Sequence, residues 1–219
     1  MLFNWYGQSC FRIQGDRAVV VTDPYDQNYG LRLPRLTADI VTVSHDHGDH
    51  NNVEAVKGTE HNANPFIITD VGEYEVRDVL VTGIASSHDS SSGSERGSNI
   101  IYRLEIDDVS IAHLGDLGHP LENGQLQKLE GVDILLIPVG GVYTIDGKTA
   151  VQIINQIEPR LIIPMHYKIP GLKLNGKMVD GLEGFCKEIG ICPKEPTNKL
   201  KISKKDLPQE DMQVVVLSA

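Results

Sequence analysis

Short runs of β-branched and other apolar residues, stopped by Gly, Pro, Asp or Asn, recur along the chain and predict buried strands. They lie at 10–14, 18–22, 39–44, 66–69, 73–76, 79–84, 99–106, 109–114, 133–138 and 160–164. Helical spacing appears over 149–156, where Ala150, Ile153, Ile154 and Ile157 follow i, i+3, i+4, i+7 and share one face. Shorter helices are predicted at 53–57, capped by Asn51 or Asn52, and at 125–129. Runs 38–43 and 132–137 resemble each other, a faint sign of two similar halves in a mixed α and β chain. The polar stretch 86–98 predicts an exposed, mobile loop inserted within a domain and carrying His88. The lysine-rich segment 194–205 reads as a solvated basic surface.

Length and charge narrow this picture. A chain of 219 residues buries enough surface for a core without staples, and 1–219 is expected to form one domain. Its formal net charge of −10 argues against a grip on nucleic acid, which relies on clustered Lys and Arg, but leaves room for a small anionic substrate. Cys10, Cys186 and Cys192 are too few and too scattered for a disulfide framework, and that fits a reducing cytosol. The amino terminus lacks the pattern of a signal peptide, and no apolar run approaches the roughly 20 residues that span a bilayer. A cytoplasmic protein is therefore expected.

The segment His45-Asp46-His47-Gly48-Asp49-His50 follows the apolar run 39–44 directly. Neutral imidazoles bind Zn, Mn or Fe, and a carboxylate offsets the metal charge, so this cluster has the ligand types of a metal site. A catalytic cation needs more ligands than one short loop can aim at a point. His88, Asp116 and His166 each follow a predicted strand, so a sheet can bring them to the same edge as His45. His113, close to Asp116, is the main rival as a ligand, whereas His61 and His119 read as surface residues.

These landmarks, with the earlier strand-end Asp23, resemble the metallo-β-lactamase superfamily. Gly7-Gln8-Ser9-Cys10-Phe11, Thr22-Asp23-Pro24-Tyr25, His113-Leu114-Gly115-Asp116-Leu117-Gly118 and Ile163-Pro164-Met165-His166-Tyr167 look most like one branch. That branch contains L-ascorbate-6-phosphate lactonase, N-acyl-phosphatidylethanolamine phospholipase D and predicted Zn-dependent hydrolases. Gln8 stands where the branch usually has His. The resemblance implies an α/β (α+β) chain folded as a four-layer αβ/βα sandwich with two adjacent divalent metal ions, zinc first and manganese or iron as alternatives. His45, His47 and His88 would hold one ion, Asp49, His50 and His166 the other, and Asp116 would bridge them. Asp23 and His113 would stand behind the ligands, and Asp46 would either stand behind them too or face solvent.

The expected activity is hydrolysis of a small ester, lactone or related acyl substrate by metal-bound hydroxide, with Asp49 as the catalytic carboxylate. A phosphodiesterase acting on a lipid, cyclic nucleotide or nucleic acid is the alternative, and a metal-bound binding protein without turnover is a third reading. Arg96, Lys168, Tyr143 and Tyr167 are candidate substrate contacts. The partner is a small molecule, with self-association left open.

Overall fold

In a computed structural model, which describes residues 1–174, 176 and 178–219, the apolar runs pair into two large sheets. The strands are β1 (Leu2–Trp5), β2 (Phe11–Gln14), β3 (Val19–Thr22), β4 (Leu36–Ala38), β5 (Ile40–Thr42), β6 (Val56–Gly58), β7 (Phe66–Ile68), β8 (Gly72–Val76), β9 (Val79–Ser87), β10 (Ser98–Ile106), β11 (Val109–His113), β12 (Ile134–Pro138), β13 (Leu161–Met165), β14 (Leu200–Lys201) and β15 (Gln213–Val214). The helices are α1 (Asn123–Lys128), α2 (Gly147–Ile157) and α3 (Leu182–Ile189). The first sheet has the order β14-β1-β2-β3-β5-β7 and the second β15-β13-β12-β11-β10-β9-β8.

Successive side chains on a strand point to opposite faces, and burial follows that rule. Phe3, Trp5, Phe11, Ile13, Val20 and Ile40 on the first sheet join the core shared with the second. Their neighbours Cys10, Val21, Val41 and Val43 pack outward against Leu36, Ala38 and Val56 of the small β4–β6 ribbon. Every residue of β11, β12 and β13 is buried, the mark of parallel strands covered on both faces. Ala150, Ile153 and Ile154 of α2 and Phe185 of α3 belong to the same core. The mixed α and β class and the paired sheets agree with expectation. No helix among the described residues is long and apolar enough to cross a membrane.

Strand direction sets where ligands gather. β3 and β5 run parallel, as do β11, β12 and β13, and β9 is antiparallel to β10, which is antiparallel to β11. The carboxyl ends of β9, β11, β12 and β13 therefore share one edge. The sheets are tied there: Ile100 N–H donates to Ser44 O (2.8 Å), and Tyr102 Oη–H donates to Val43 O (2.9 Å).

Three expectations are corrected. Residues 53–57 form a 3-10 turn, Val53–Ala55, and then β6, because Val56 pairs with Leu36 of β4 instead of continuing a helix. Residues 86–98 are not a free loop: β9 runs through Ser87, and the Asp89 carboxylate accepts N–H bonds from Ser91, Gly93, Glu95 and Arg96. Cys186 and Cys192 are joined in a disulfide, since α3 ends at a left-handed Gly190 (φ 76°) that turns the chain back. Sequence spacing alone carried no sign of that reversal.

Candidate metal centre

The loop after β5 is held from behind by one buried carboxylate. Asp23, itself at the end of β3, accepts from Ser44 N–H on Oδ1 (2.7 Å) and from Ser44 Oγ–H on Oδ2 (2.6 Å). His50 Nδ1 donates to the same Oδ2 (2.9 Å). His45 Nδ1 lies 3.0 Å from Ser44 Oγ. With both Nδ1 atoms engaged, the Nε2 atoms of His45 and His50 are left for a ligand, and neither has a hydrogen-bond partner among the described residues. The imidazole of His45 stands 4.5 Å from that of His47, 4.2 Å from His50 and 4.7 Å from His88, between ring centroids.

The second sheet completes the cluster. His88 follows β9, Asp116 follows β11 and His166 follows β13, and all three are buried. Asp116 Oδ2 converges on three ring nitrogens: His166 Nε2 at 3.1 Å, His50 Nε2 at 3.3 Å and His88 Nε2 at 3.5 Å. Its Oδ1 accepts from Ser9 Oγ–H (3.2 Å), and its own N–H donates to Asn99 Oδ1 (2.9 Å). Gly115 lets the two sheets meet here. At φ +56° it occupies the left-handed region, and a Cβ would lie 2.4 Å from Asn99 Oδ1 and 2.6 Å from Ser44 Cβ.

Charge in the cluster follows from burial and neighbours. Burial, with His50 nearby, pushes His45 down to about 3, so its ring is neutral and ligand-competent. Burial likewise lowers His88. Burial also opposes charge on His50, but Asp116 and Asp49 outweigh it and hold the imidazolium well above the usual range. Asp116 is pushed up by burial, yet His166 and His50 prevail and keep it ionised. Asp49 behaves alike: burial raises it, while His50 holds it below the ordinary carboxyl range.

Three groups of ligand atoms each lie within 4.8 Å of one another: His45, His47 and His88; His45, His50 and Asp116; and Asp49, His50 and His166. Buried nitrogens without partners are costly, about 1–3 kcal/mol each. A divalent cation satisfies such nitrogens and takes the place of the proton that Asp116 and Asp49 otherwise hold on His50, so this imidazole and carboxylate donor set fits one. His113 stands apart from all three groups. Its Nε2 lies 2.9 Å from Ser9 O, and its Nδ1 accepts from Gly115 N–H. Asp46 and His61 are exposed. His119 is half-buried, and its Nε2 accepts from Ser87 N–H beside His88, a role closer to the site than the surface position expected.

The β-lactamase superfamily domain model matches residues 3–166. The chain belongs to the metallo-β-lactamase superfamily. A protein of Thermococcus onnurineus named a UPF0173 metal-dependent hydrolase is 30% identical over 187 residues, covering 75% of this chain and 83% of its own length. A UPF0173 protein of Pyrococcus abyssi is 31% identical over 186 residues, 76% and 83% of the two chains. A crystal structure from Thermotoga maritima, described as a candidate Zn-dependent hydrolase of the superfamily, superposes with a TM-score of 0.78 at 34% identity. It covers 99% of this chain and 97% of its own. The isothiocyanate hydrolase from Delia radicum gut bacteria shares only the fold, with a TM-score of 0.64 at 15% identity over 93% of this chain and 100% of its own. The chain is a metal-dependent hydrolase.

In this superfamily member a cavity of about 320 Å³ opens over the cluster, lined by Tyr29, His47, Asp49, His88, Arg96, Asp116, Tyr143 and Leu174 among others. Arg96 and Tyr143, both singled out from sequence, meet there, with the guanidinium 5.4 Å from the ring centroid. Tyr167 and Lys168 line a different cavity, and Tyr167 packs on Trp5 (5.1 Å between centroids). Ser9, Ser44, Asn99, Asp89 and Tyr29 escaped the sequence reading. Ser44, adjacent to His45, and Asp89, adjacent to His88, carried a signal that could have found them.

Proposed function

We propose that residues 1–219 form one catalytic unit holding two divalent cations, zinc first with manganese or iron as alternatives. In this reading the unit hydrolyses a small anionic ester, lactone or related acyl substrate. The observation that carries the reading is the convergence of Asp116 Oδ2 on the ring nitrogens of His50, His88 and His166. His45, His47 and His88 would hold one ion and Asp49, His50 and His166 the other, with the Asp116 carboxylate shared. Bound divalent cations supply a hydroxide nucleophile at neutral pH and polarise the scissile carbonyl.

The chain's own groups do the rest. Ionised Asp49, its side chain 15% exposed in the cavity lining, would take the proton that water gives up as that hydroxide forms. Asp23 fixes the tautomer of His50 by accepting from Nδ1, leaving Nε2 free to ligate. Among the described residues Arg96 is the only Lys or Arg in the cavity lining, and its backbone is fastened to Asp89. A cation on a fastened turn favours a substrate that carries a carboxylate or phosphate away from the bond to be cleaved. The modest cavity favours a small molecule. The lactonase-like branch is proposed on the Gly7 to Phe11, His113 to Gly118 and Ile163 to Tyr167 motifs.

The test compares protein loaded with zinc or manganese on matched lactones bearing a neutral, carboxylate or phosphate substituent, beside a simple phosphodiester. The reading expects lactone cleavage, faster for the anionic members and lost in Asp49→Asn. Phosphodiester cleavage alone would favour the alternative enzyme. Full activity after chelation would refute metal-dependent chemistry altogether.

A further inference from the structure

Gln8 lies in the turn between β1 and β2, outside the residues that line the cavity, and is fully buried. Its φ of 49° puts a non-glycine residue in the left-handed region, and surrounding bonds hold it there. Its carbonyl accepts from Trp5 Nε1–H (2.9 Å) and from His166 N–H (3.1 Å). Its side-chain Nε2 donates to Asp49 Oδ2 (3.1 Å) and lies 3.3 Å from His166 Nε2. Ionised Asp49 can only accept, so the amide must present its NH2 end to it.

The two residues that the Gln8 side chain touches come from different sheets. Asp49 belongs to the partly exposed loop after β5, and His166 follows β13. Both belong to the group Asp49, His50 and His166, and neither belongs to His45, His47 and His88. We infer that Gln8 is a positioning residue that holds Asp49 through its side-chain N–H and His166 through its backbone carbonyl, and so selectively sets the affinity of that half of the site for its ion. This rests on the two-ion reading above. Without the clamp Asp49 is free to turn toward solvent, while the other imidazole group keeps its geometry.

The test is stepwise zinc titration of metal-free protein by calorimetry, with cobalt absorption as a second signal. Gln8→Met keeps the length of the side chain and removes the donor; Gln8→His restores an N–H. Wild type is expected to take up two ions. Gln8→Met should retain one at wild-type affinity and bind the other about ten- to a hundredfold more weakly, and Gln8→His should recover much of the loss. Circular dichroism of the metal-free proteins checks that the variants fold, and if Gln8→Met does not fold, Gln8→His against Gln8→Glu makes the same comparison. Unchanged binding of both ions, or equal weakening of both, overturns the clamp while leaving the two-ion reading intact. Wild type that binds fewer than two ions overturns both.

Discussion

The first sheet offers four candidate ligands from six consecutive residues, His45, His47, Asp49 and His50, whereas the second offers His88, Asp116 and His166 from the ends of three strands. Their supports differ as well. The histidine loop is anchored within its own sheet, by Asp23 at the end of the parallel neighbour β3. The second set is steadied across the sandwich: Ser9 and Gln8, from the β1–β2 turn of the first sheet, reach Asp116 and His166. One half of the site is thus built locally and the other exists only when the sheets have docked. Non-local contacts of this kind form late and are lost together.

Asp116→Ala strikes the junction between the halves, and the largest effect is expected there. Three imidazoles lose the carboxylate oxygen they share, so the variant should lose at least one ion by elemental analysis and more than about a hundredfold in hydrolysis, beyond the cost of an outer-sphere change. Asp23→Ala tests the locally built half. Ser44 and His50 lose a buried acceptor, and denaturant melting should register about 3–5 kcal/mol of lost stability, as for a broken buried charge pair.

Asp23 also gives a pH signature with a definite sign. Burial raises its carboxyl, but His50 outweighs burial and leaves it below the ordinary range. Its stabilisation is therefore present above the unfolded carboxyl pKa and lost as pH falls through the lower folded value. Acid should erode wild-type stability in that window while affecting Asp23→Ala less, as measured by melts at graded pH.

The cross-sandwich half is probed more gently at Gly140. A Cβ there would lie 2.1 Å from the His166 carbonyl oxygen, so Gly140→Ala must shift His166. About 1–3 kcal/mol of destabilisation is expected, with weaker metal uptake in calorimetry. His113→Ala should have the smallest effect on the site. It leaves the metal count unchanged and costs about 1–3 kcal/mol through the buried Gly115 N–H that loses its acceptor, while the Ser9 carbonyl keeps its bond from Thr22 Oγ1–H. A lost ion in His113→Ala and an intact pair in Asp116→Ala would reverse the assignment.

The contrast between the halves also explains what the sequence revealed. The cluster at 45–50 is contiguous, so its chemistry is legible without a fold, and the strands carrying it read clearly from their apolar runs. His88, Asp116 and His166 were legible only as strand-end residues, and their meeting depends on the parallel order β11-β12-β13. Asn99 and Ser9 carry no local signal, since an Asn in a strand and a Ser in a turn are ordinary until docking brings them to Asp116. The order within 89–97 escaped for a related reason: composition predicts solvation, whereas one buried Asp89 carboxylate gathers four N–H groups. Strands β1, β4, β6, β14 and β15 are short and take their place from pairing partners more than from their own pattern.

Anomalous diffraction at the zinc edge from crystals of the zinc-loaded protein tests the joint site most directly. Two peaks are expected, one among His45, His47 and His88, the other among Asp49, His50 and His166, with the Asp116 carboxylate touching both. A single peak, or a peak beside His113, would contradict it.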